Sequence, residues 1–592
     1  MSRDRADAQT AWADAIIAGL FAAGVHEVIT SPGSRSTPLV LAAARASILG
    51  AAIIDERAAA FYALGRARVT GEPSAVLCTS GSAGAHYLPA VIEASEANLP
   101  LVAITADRPP ELHGAAAPQT IDQTRLYGAF VRASIDLGPP RASEWALDAA
   151  SRRAAQAAWA SLDPEPGPIH INAPFDEPLA PEDIGPIPGP TARPGGAALR
   201  AAIRAPGDAA IAELADRCRR ARRGLLVAGP AAPSSNLQEA AHALAEASGF
   251  PVLVEAASQL RFLGSATPAL ARDAFDLSLS SAEVRRRVRP DLVLQLGRPP
   301  TSATLRAFLG ESPATERVIL SAEGFPDPDR RANLLVRGDV AIAASQLTAA
   351  LRDDPGKTDP DVASILARAD RVAWRLVDEE LERSAEALSE GAAARAALEA
   401  TPSGGLLCLG NSLPIRTVDR FCPARLARVS VASQRGANGI DGLIAGAAGA
   451  AAASGAPTLA LVGDVSFAHD VGGLAAAATA RAPLAIVVLD NGGGRIFDAL
   501  PIAERAAGAA WYRDHFRTPP ALASEAAAAA FGIPAHVCRR ADELRDATRE
   551  ALAAPGCTVI RALVDPESAA RSVARLRDAM GAVAASDLEA RA

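Results

Sequence analysis

The chain has 592 residues, which is too many for one hydrophobic core, so we expect three or four domains. Hydrophobic residues make up 49% of it and charged residues 21%, a balance that is typical of a well-buried α/β protein. The net charge of −8, with no basic block, argues against nucleic acid and anionic membranes as partners.

The cysteine content indicates the cellular compartment, and the lysine content argues against one class of chemistry. Six scattered cysteines without C-x-x-C spacing indicate buried small residues in a reducing compartment. The N-terminus has no apolar signal core, and the Ala/Gly run over 444–453 is too short and too weakly apolar to span a bilayer. We therefore expect a cytoplasmic protein that does not enter a membrane. The single lysine, Lys357, lies in linker-like sequence, which argues against Schiff-base chemistry.

The pattern of apolar runs and turns in residues 1–185 predicts a first α/β domain. Short apolar runs over 25–30, 51–54, 74–78 and 101–105 each end at a polar or glycine-rich turn, and a helical pattern covers 38–48. Strands that alternate with helices in this way favour a doubly wound parallel sheet. Proline-rich sequence from 163 to 194 then suggests the exit to a linker.

Two further α/β domains are predicted, over 195–352 and 362–592. The second begins its strand–helix alternation near Gly224, and 353–361 has the composition of a linker. A helix predicted over 362–390 leads into the third domain, and the tail over 568–592 has a helical pattern and is expected to be peripheral. The predicted fold class is therefore α/β, with three doubly wound parallel-sheet domains.

Two segments of the third domain indicate a site for a cation and a phosphate. They are Gly463-Asp464-Val465-Ser466 and Asp490-Asn491-Gly492-Gly493-Gly494, and each follows an apolar run. Open α/β sheets bind ligands where such strands end. The Asp464 carboxylate and the Asn491 carboxamide can hold Mg²⁺, whose shell phosphate and water complete, while the glycines allow a close backbone approach. The paired segments are similar to the cofactor motif of thiamine diphosphate (ThDP) enzymes.

Five further blocks carry a more specific resemblance. In chain order they are Ser31-Pro32-Gly33-Ser34-Arg35-Ser36-Thr37-Pro38, Asp55-Glu56-Arg57, Cys78-Thr79-Ser80-Gly81, Thr105-Ala106-Asp107-Arg108-Pro109-Pro110-Glu111, and Ser433-Gln434-Arg435-Gly436-Ala437-Asn438-Gly439-Ile440-Asp441-Gly442. On these blocks the chain resembles the 2-succinyl-5-enolpyruvyl-6-hydroxy-3-cyclohexene-1-carboxylate synthases, which are ThDP enzymes of menaquinone biosynthesis. The Ser-Arg-Ser-Thr-Pro and Ala-Asp-Arg-Pro-Pro-Glu blocks are typical of this family rather than of ThDP enzymes in general.

The resemblance implies ThDP and Mg²⁺ (or Mn²⁺) as cofactors, with 1–185 as the pyrimidine-binding domain, 195–352 as the central domain and 362–592 as the diphosphate-binding domain. In such enzymes one glutamate lies against the aminopyrimidine ring and activates the cofactor, and Glu56 matches that catalytic residue. Ile53, Ile54 and Phe61 are expected to surround Glu56 with apolar groups. The other residues implied at the cofactor are Thr79, Ile440, Gly463, Ser466 and Asn491, and those implied at the metal are Asp464, Asn491 and Gly493.

The resemblance also implies 2-oxoglutarate and isochorismate as substrates, and a homodimer or homotetramer as the assembly. Each substrate carries two carboxylates, which several arginines would suit. Ser34 and Arg35 lie on a turn that opens a helix, where backbone N–H groups favour anions. The residues implied at the substrates are Ser34, Arg35, Arg108, Gln119, Ser412, Arg416, Arg435, Ile496 and Phe497.

Three departures from the family pattern leave alternatives open. Ala303 stands where a lysine is usual, and Asp490-Asn491-Gly492 replaces a triple asparagine. Ser80-Gly81-Ser82-Ala83 replaces the family's Ser-Gly-Thr-Ala, with His86 where asparagine is common. Another ThDP activity, such as that of acetolactate synthase or a 2-hydroxyacyl lyase, is disfavoured by the Ser-Arg-Ser-Thr-Pro block. A ThDP-binding protein without activity is disfavoured by Glu56 and Asp464, although Ala303 keeps that alternative open.

Overall fold

The structure is a computed structural model that describes residues 2–184, 202–312, 314–354, 356–383, 387–583 and 585–588. Its strands form three six-stranded sheets, in which neighbouring strands run parallel and helices flank the strands. The predicted fold class, α/β with three doubly wound parallel sheets, is confirmed. Within the described ranges, no helix is both long enough and apolar enough to cross a membrane.

The first sheet has the strand order β2-β1-β3-β4-β6-β5. Strand β3 coincides with its prediction, and β4 extends two residues further than predicted, so that it ends immediately before Arg108. The elements are α1 Ser2–Ala22, β1 Val28–Thr30, α2 Thr37–Arg45, β2 Leu49–Ala52, α3 Glu56–Thr70, β3 Ser74–Cys78, α4 Ser82–Ala85, α5 Leu88–Ala97, β4 Leu101–Asp107, β5 Ala133–Asp136, α6 Glu144–Ala160 and β6 Ile169–Pro174.

The second sheet has the strand order β12-β11-β10-β7-β8-β9. Its central strands β7 and β10 are buried along their whole length, as expected for a parallel sheet that is covered on both faces. The elements are α7 Asp208–Arg220, β7 Gly224–Ala228, α8 Leu237–Ser248, β8 Val252–Val254, β9 Ala271–Arg272, α9 Phe275–Ser278, α10 Ala282–Val288, β10 Leu292–Leu296, α11 Ala303–Gly310, β11 Glu316–Ser321, β12 Leu334–Arg337 and α12 Val340–Leu351.

The third sheet has the strand order β14-β13-β15-β16-β18-β17, with β15 and β16 as neighbours. These two apolar strands carry the paired polar segments at their carboxyl ends. The elements are α13 Pro360–Arg383, α14 Glu390–Glu399, β13 Gly405–Leu409, α15 Leu413–Phe421, β14 Val429–Ser433, α16 Leu443–Ser454, β15 Thr458–Gly463, α17 Asp464–His469, α18 Leu474–Ala477, β16 Pro483–Asp490, α19 Ala503–Ala506, α20 Ala510–Tyr512, α21 Ser524–Ala530, β17 Ala535–Cys538, α22 Ala541–Ala553, β18 Gly556–Leu563 and α23 Ser568–Gly581.

The chain forms two compact units. The first consists of the described parts of Met1–Ala202 together with Gln434–Ser454 and Asp470–Ala480, so it contains the first sheet and helices α16 and α18. The second consists of the described parts of Ile203–Ser433, Gly455–His469 and Arg481–Ala592, and it contains the other two sheets. The division into three domains at 1–185, 195–352 and 362–592 stays a prediction.

Helix α16 packs closely against α3 inside the first unit. A methyl group added at Gly65 of α3 would overlap the backbone carbonyl of Gly446, and one added at Gly449 would overlap the carbonyl of Tyr62. Glycine therefore permits the two helix backbones to approach each other. The Ala/Gly run that is too short for a membrane forms most of α16, which is largely buried against its own unit.

The structure corrects three predictions of secondary structure. The helix predicted over 362–390 is interrupted: α13 ends at Arg383, and α14 starts at Glu390, where the Ser389 side chain caps it by accepting the Ala392 N–H. The proline-rich stretch from 163 contains the buried strand β6 rather than only linker, and its part over 185–194 lies outside the described residues. The C-terminal helix α23 is not peripheral, because Leu576 and Met580 are buried in a core cluster with α13.

Candidate active site

The candidate cation site lies where two neighbouring strands of the third sheet end. Gly463 at the end of β15 pairs with Leu489 of β16, so Asp464 follows beside Asp490, and Asn491 comes one residue further at the same carboxyl edge. Asp464 is 8% exposed, and its carboxylate accepts the N–H groups of Val465 at 2.8 Å and Gly493 at 2.7 Å. Burial, and then the neighbouring Asp490 carboxylate, raise the pKa of Asp464 to about 6. A bound cation would offset both effects.

Asn491 presents a carbonyl oxygen that lacks a partner. The residue is 5% exposed, and its Nδ2 donates a hydrogen bond of 3.0 Å to Glu390. Its Oδ1 is buried and accepts no hydrogen bond from any residue that the structure describes. A cavity of about 30 Å³ is lined by Asp464, Asn491, Ser412 and Ser466, among others. This volume is enough for a water-sized ligand.

The residues around this cavity fit a hard cation and a phosphate group. Mg²⁺ and Mn²⁺ are bound by carboxylate, amide and phosphate oxygens, and the cavity offers the Asp464 carboxylate and the orphaned Asn491 Oδ1. The Ser466 hydroxyl lies beside them at the start of α17, where helix N–H groups favour an anion. The chemistry of these side chains therefore matches a metal that anchors a diphosphate.

The glycine loop after β16 depends on the absence of side chains. Gly493 has a φ of +118°, and a methyl group there would overlap the carbonyl oxygen of Arg517. The Gly493 N–H bonds Asp464, while its carbonyl accepts the Arg495 N–H at 2.7 Å. The loop thus approaches Asp464 closely, and glycine is required at position 493 for this approach.

Four residues predicted at the substrates lie in the second unit. Ser412 has a φ of +70°, precedes α15 and lines the cation cavity, while Arg416 donates a 2.6 Å hydrogen bond back to the Ser412 carbonyl. Ile496 and Phe497 lie on a short 3-10 helix over Arg495–Ala499. Phe497 is 40% exposed and packs edge-on against Phe516, with ring centroids 5.9 Å apart. Only Ser412 of these four lines the cavity.

Two buried arginines lie close together in the first unit. Arg35 donates a 3.0 Å hydrogen bond to the Phe175 carbonyl, and its Nε is buried and bonds no described residue. Arg108 bonds Ser80 and, at 3.4 Å, the Gln119 Oε1. Burial, and then the charge of Arg35, lower the pKa of Arg108. Arg35 also pairs with the exposed Glu177 carboxylate at 3.5 Å. The two buried guanidinium groups therefore share one solvated counter-ion, and a second anion beside them would be favoured.

Three other residues that were predicted at the substrates or at the cofactor lie near these arginines. The Thr79 hydroxyl accepts the Arg35 N–H at 3.3 Å, and Thr79 is itself buried. Ser34 is exposed on the turn before α2, where its carbonyl accepts the Thr37 hydroxyl at 2.7 Å. Gln119 is exposed and has a φ of +53°. Ser34, Arg35, Thr79, Arg108 and Gln119 therefore occupy one region of the first unit.

Glu56 is the first residue of α3 and is partly buried. The cap of this helix comes from Asp55, whose carboxylate accepts two backbone N–H groups, so the Glu56 side chain is not used for capping. Its charge acts on Cys78, whose pKa is raised to about 12 mainly by burial. Glu56 therefore lies near the end of β3. One expectation was wrong: β2 ends at Ala52, and Ile54 is 79% exposed instead of covering Glu56.

Arg435 and Ile440 lie on Gln434–Ser454, a segment late in the sequence that belongs to the first compact unit. Both side chains are partly buried. The buried carboxylate of Glu93 holds this segment, since it accepts the N–H groups of Gly436 at 3.1 Å and Ala437 at 2.7 Å and pairs with Arg68 at 2.9 Å. Sequence reasoning missed Glu93, because a single glutamate in the helix α5 pattern resembles a solvated residue.

Comparisons with known proteins agree with this geometry. Residues 10–126 match the family model of the thiamine pyrophosphate enzyme N-terminal TPP binding domain, and residues 425–562 match that of the C-terminal TPP binding domain. The chain is 44% identical over 584 residues to the 2-succinyl-5-enolpyruvyl-6-hydroxy-3-cyclohexene-1-carboxylate synthase of Sorangium cellulosum, with 96% of this chain and 94% of that protein covered. The chain belongs to this synthase family. It is a ThDP-dependent enzyme of the transferase class.

One further relative and one solved structure are also similar to this chain. The synthase of the same name from Myxococcus xanthus is 37% identical, with 93% of this chain and 94% of that protein covered. An X-ray structure of a putative thiamin diphosphate-dependent enzyme from Mycobacterium smegmatis is similar with a TM-score of 0.67 and 20% identity, covering 94% of this chain and 99% of that chain. The latter supports the fold alone. The relatives from Sorangium cellulosum and Myxococcus xanthus carry the synthase name and not that of an acetolactate synthase.

Glu390 is a residue of the synthase site that the sequence did not single out. It lines the cation cavity, and its carboxylate accepts hydrogen bonds from Asn491 at 3.0 Å and Thr417 at 2.9 Å. Burial raises its pKa, and the two hydrogen bonds oppose that effect. The one local signal was the Ser389-Glu390 pair, which is typical of a helix start but was placed inside a longer predicted helix.

Proposed function

We propose that the chain decarboxylates 2-oxoglutarate and adds the remaining succinyl unit to isochorismate, giving 2-succinyl-5-enolpyruvyl-6-hydroxy-3-cyclohexene-1-carboxylate for menaquinone biosynthesis. Family membership supports the reaction class. The observation that favours these substrates is the pair of buried arginines, Arg35 and Arg108, because a dicarboxylate would neutralise two adjacent cations. Bound ThDP supplies the carbon nucleophile for both steps.

We assign roles in binding and proton transfer to residues of the chain. Arg35 and Arg108 would bind and orient substrate carboxylates, and Ser34 and Gln119 would border them. Glu56, near the end of β3, would hold a proton at the aminopyrimidine N1′ of the cofactor. Ile440 would support the bent cofactor by apolar contact. The further substrate residues in this proposal are Arg416, Arg435, Ile496 and Phe497.

We propose Mg²⁺ (or Mn²⁺) as the second cofactor, held by Asp464, Asn491 and the Gly493 backbone. The support is the buried, unpartnered Asn491 Oδ1 beside the desolvated Asp464 carboxylate. Gly463, Ser466 and Thr79 would contact the cofactor itself. The cation would balance the charge of the diphosphate, which neither Asp464 nor Asp490 can do.

We propose that the enzyme works as a homodimer or a dimer of dimers in the cytoplasm. This assembly is the one that the resemblance to ThDP-dependent synthases implies. The subunit interface is expected to exceed about 2,000 Å². All six cysteines are free and buried, which suits a reducing compartment. Sedimentation that finds a fully active monomer at the assay concentration would contradict the dimer.

The reaction is tested by a single-turnover assay with 2-oxoglutarate and isochorismate, and with pyruvate as a competing donor. Arg35→Ala and Arg108→Ala are each expected to raise the activation free energy that corresponds to kcat/KM by about 2–5 kcal/mol, since each leaves a carboxylate without its buried cation. Arg152→Ala is the matched control, because Arg152 is exposed on α6 and pairs with Asp148, an exposed residue of the same helix. Preference for pyruvate, or full turnover in both site variants, would overturn the assignment.

A further inference from the structure

Glu390 is a buried carboxylate placed directly behind Asn491. It is 1% exposed and begins the ten-residue helix α14. One carboxylate oxygen accepts the Asn491 Nδ2 at 3.0 Å, and the other accepts the Thr417 hydroxyl at 2.9 Å. Its backbone N–H donates to the Ser568 hydroxyl at 3.2 Å. Hydrogen bonds therefore fix both the carboxylate and the backbone N–H of Glu390, through contacts with Asn491, α15 and α23.

The chemistry of this contact decides which atom Asn491 turns toward the cavity. A carboxylate can only accept hydrogen bonds, whereas a carboxamide has one accepting end and one donating end. Glu390 therefore selects the orientation in which the NH₂ group of Asn491 faces it. The carbonyl Oδ1 then faces away from Glu390, and it is the buried atom that has no partner in the described part of the chain.

The opposite orientation of the Asn491 amide would oppose cation binding. If the amide turned over, its NH₂ group would face the cavity and repel a cation, while Oδ1 would meet the oxygens of Glu390. Two acceptors in contact in a buried place lose a hydrogen bond and keep the cost of desolvation of each unsatisfied group. No other described side chain makes a hydrogen bond to the Asn491 amide.

We propose that Glu390 is a positioning residue that fixes the Asn491 amide with its oxygen toward the cation, an inference that rests on the cation site proposed above. Glu390 also lines the cavity, but in this role it is not a ligand of the cation. It acts through Asn491, in the way that outer partners orient metal ligands in other sites. The position at the start of α14 favours its negative charge, because helix N-termini stabilise anions.

The first test compares Glu390→Leu with Glu390→Gln at pH 8. Mn²⁺ is titrated into protein with ThDP, and the bound fraction is followed by electron paramagnetic resonance. Glu390→Leu is expected to weaken Mn²⁺ binding by about 10–100-fold, the range seen for outer partners of metal ligands. Glu390→Gln is expected to restore binding to within a few fold, because its amide oxygen still accepts from Asn491. Equal Mn²⁺ binding by Glu390→Leu and wild type would overturn the proposal.

Glu380 provides a matched control. It is also 1% exposed in the second unit and accepts hydrogen bonds from Ser572 at 2.7 Å and Arg383 at 2.9 Å, but it does not line the cation cavity. Glu380→Leu is expected to lower thermal stability without changing the Mn²⁺ affinity of the folded protein. If both leucine variants lose Mn²⁺ binding equally, the effect of Glu390 is general destabilisation, and the positioning role is wrong.

A second pair of variants decides the question even if Glu390→Leu does not fold. Asn491→Asp gives the cation a charged ligand, yet it places two acceptor-only groups in contact, so Mn²⁺ binding is expected to weaken. Adding Glu390→Gln to Asn491→Asp supplies an NH₂ donor again and is expected to recover binding. Tighter Mn²⁺ binding by Asn491→Asp alone would overturn the inference. Wild-type protein that binds ThDP without any divalent cation would instead refute the cation site, and Glu390 would lose its role with it.

Discussion

Glu56→Gln is expected to slow turnover by about 10²–10⁴-fold while leaving the fold almost unchanged. The proposed role of Glu56 is to hold a proton at the cofactor ring, and glutamine cannot do this. Loss of a positioned acid–base group lowers a rate by about 10²–10⁴-fold. At about 1.4 kcal/mol for each factor of ten, this corresponds to roughly 3–5 kcal/mol on the barrier.

The structure predicts a much smaller effect of this change on stability. Asp55 caps α3, so glutamine at position 56 removes no capping hydrogen bond. What is lost is one negative charge in the first helical turn, a charge that contributes about 0.3–1 kcal/mol through the helix dipole. The barrier and the stability should therefore change by clearly different amounts.

The assay follows deuterium exchange at C2 of bound ThDP by NMR, together with thermal unfolding. In Glu56→Gln the exchange is expected to slow by at least about 10²-fold, while the free energy of unfolding changes by under about 1 kcal/mol. Ser143→Ala is the control, because it removes the cap of α6 and costs about 1 kcal/mol without slowing exchange. Exchange and synthase activity that both persist in Glu56→Gln would refute the role of Glu56.

Three further outcomes follow from the contacts described above. Asp464→Ala should remove the Mg²⁺-dependent binding of ThDP, and calorimetry that finds the same ThDP affinity in this variant or in excess chelator would contradict the cation site. Gly65→Ala should destabilise the first unit by about 1–3 kcal/mol, because its methyl group overlaps the Gly446 carbonyl, whereas Gly310→Ala has open space and should stabilise by about 0.4–1 kcal/mol, as measured by chemical denaturation. Burial lowers the pKa of His170 to about 4, so below the unfolded value of about 6.5 only the unfolded chain takes up this proton, and the folded state should lose up to about 1.4 kcal/mol per pH unit between pH 6.5 and 4. His170→Gln should flatten this part of the stability–pH curve, and an unchanged slope would show that another group causes it.

Local sequence patterns determined the strands and the residues at their ends. The apolar runs before Asp464 and Asn491 are β15 and β16, and parallel strands of one sheet end at the same edge, so the polar residues after them meet. The turn that carries Arg35 before α2 follows from an equally local signal, whereas the end of β4 before Arg108 lies two residues beyond its prediction. These predictions succeeded because hydrophobic period and turn chemistry are encoded within a few neighbouring residues.

The tertiary structure alone decided which distant groups support these ends. Glu390 lies 101 residues from Asn491, and Glu93 lies 343 residues from Gly436, so no local period connects either pair. The exposure of Ile54 and the burial of Met580 were decided in the same way, by whether another part of the chain covers them. The sequence shows which side chains can accept a hydrogen bond or become buried. Their partners are determined only when the packed chain brings the donor and acceptor atoms of two remote segments within about 3 Å of each other.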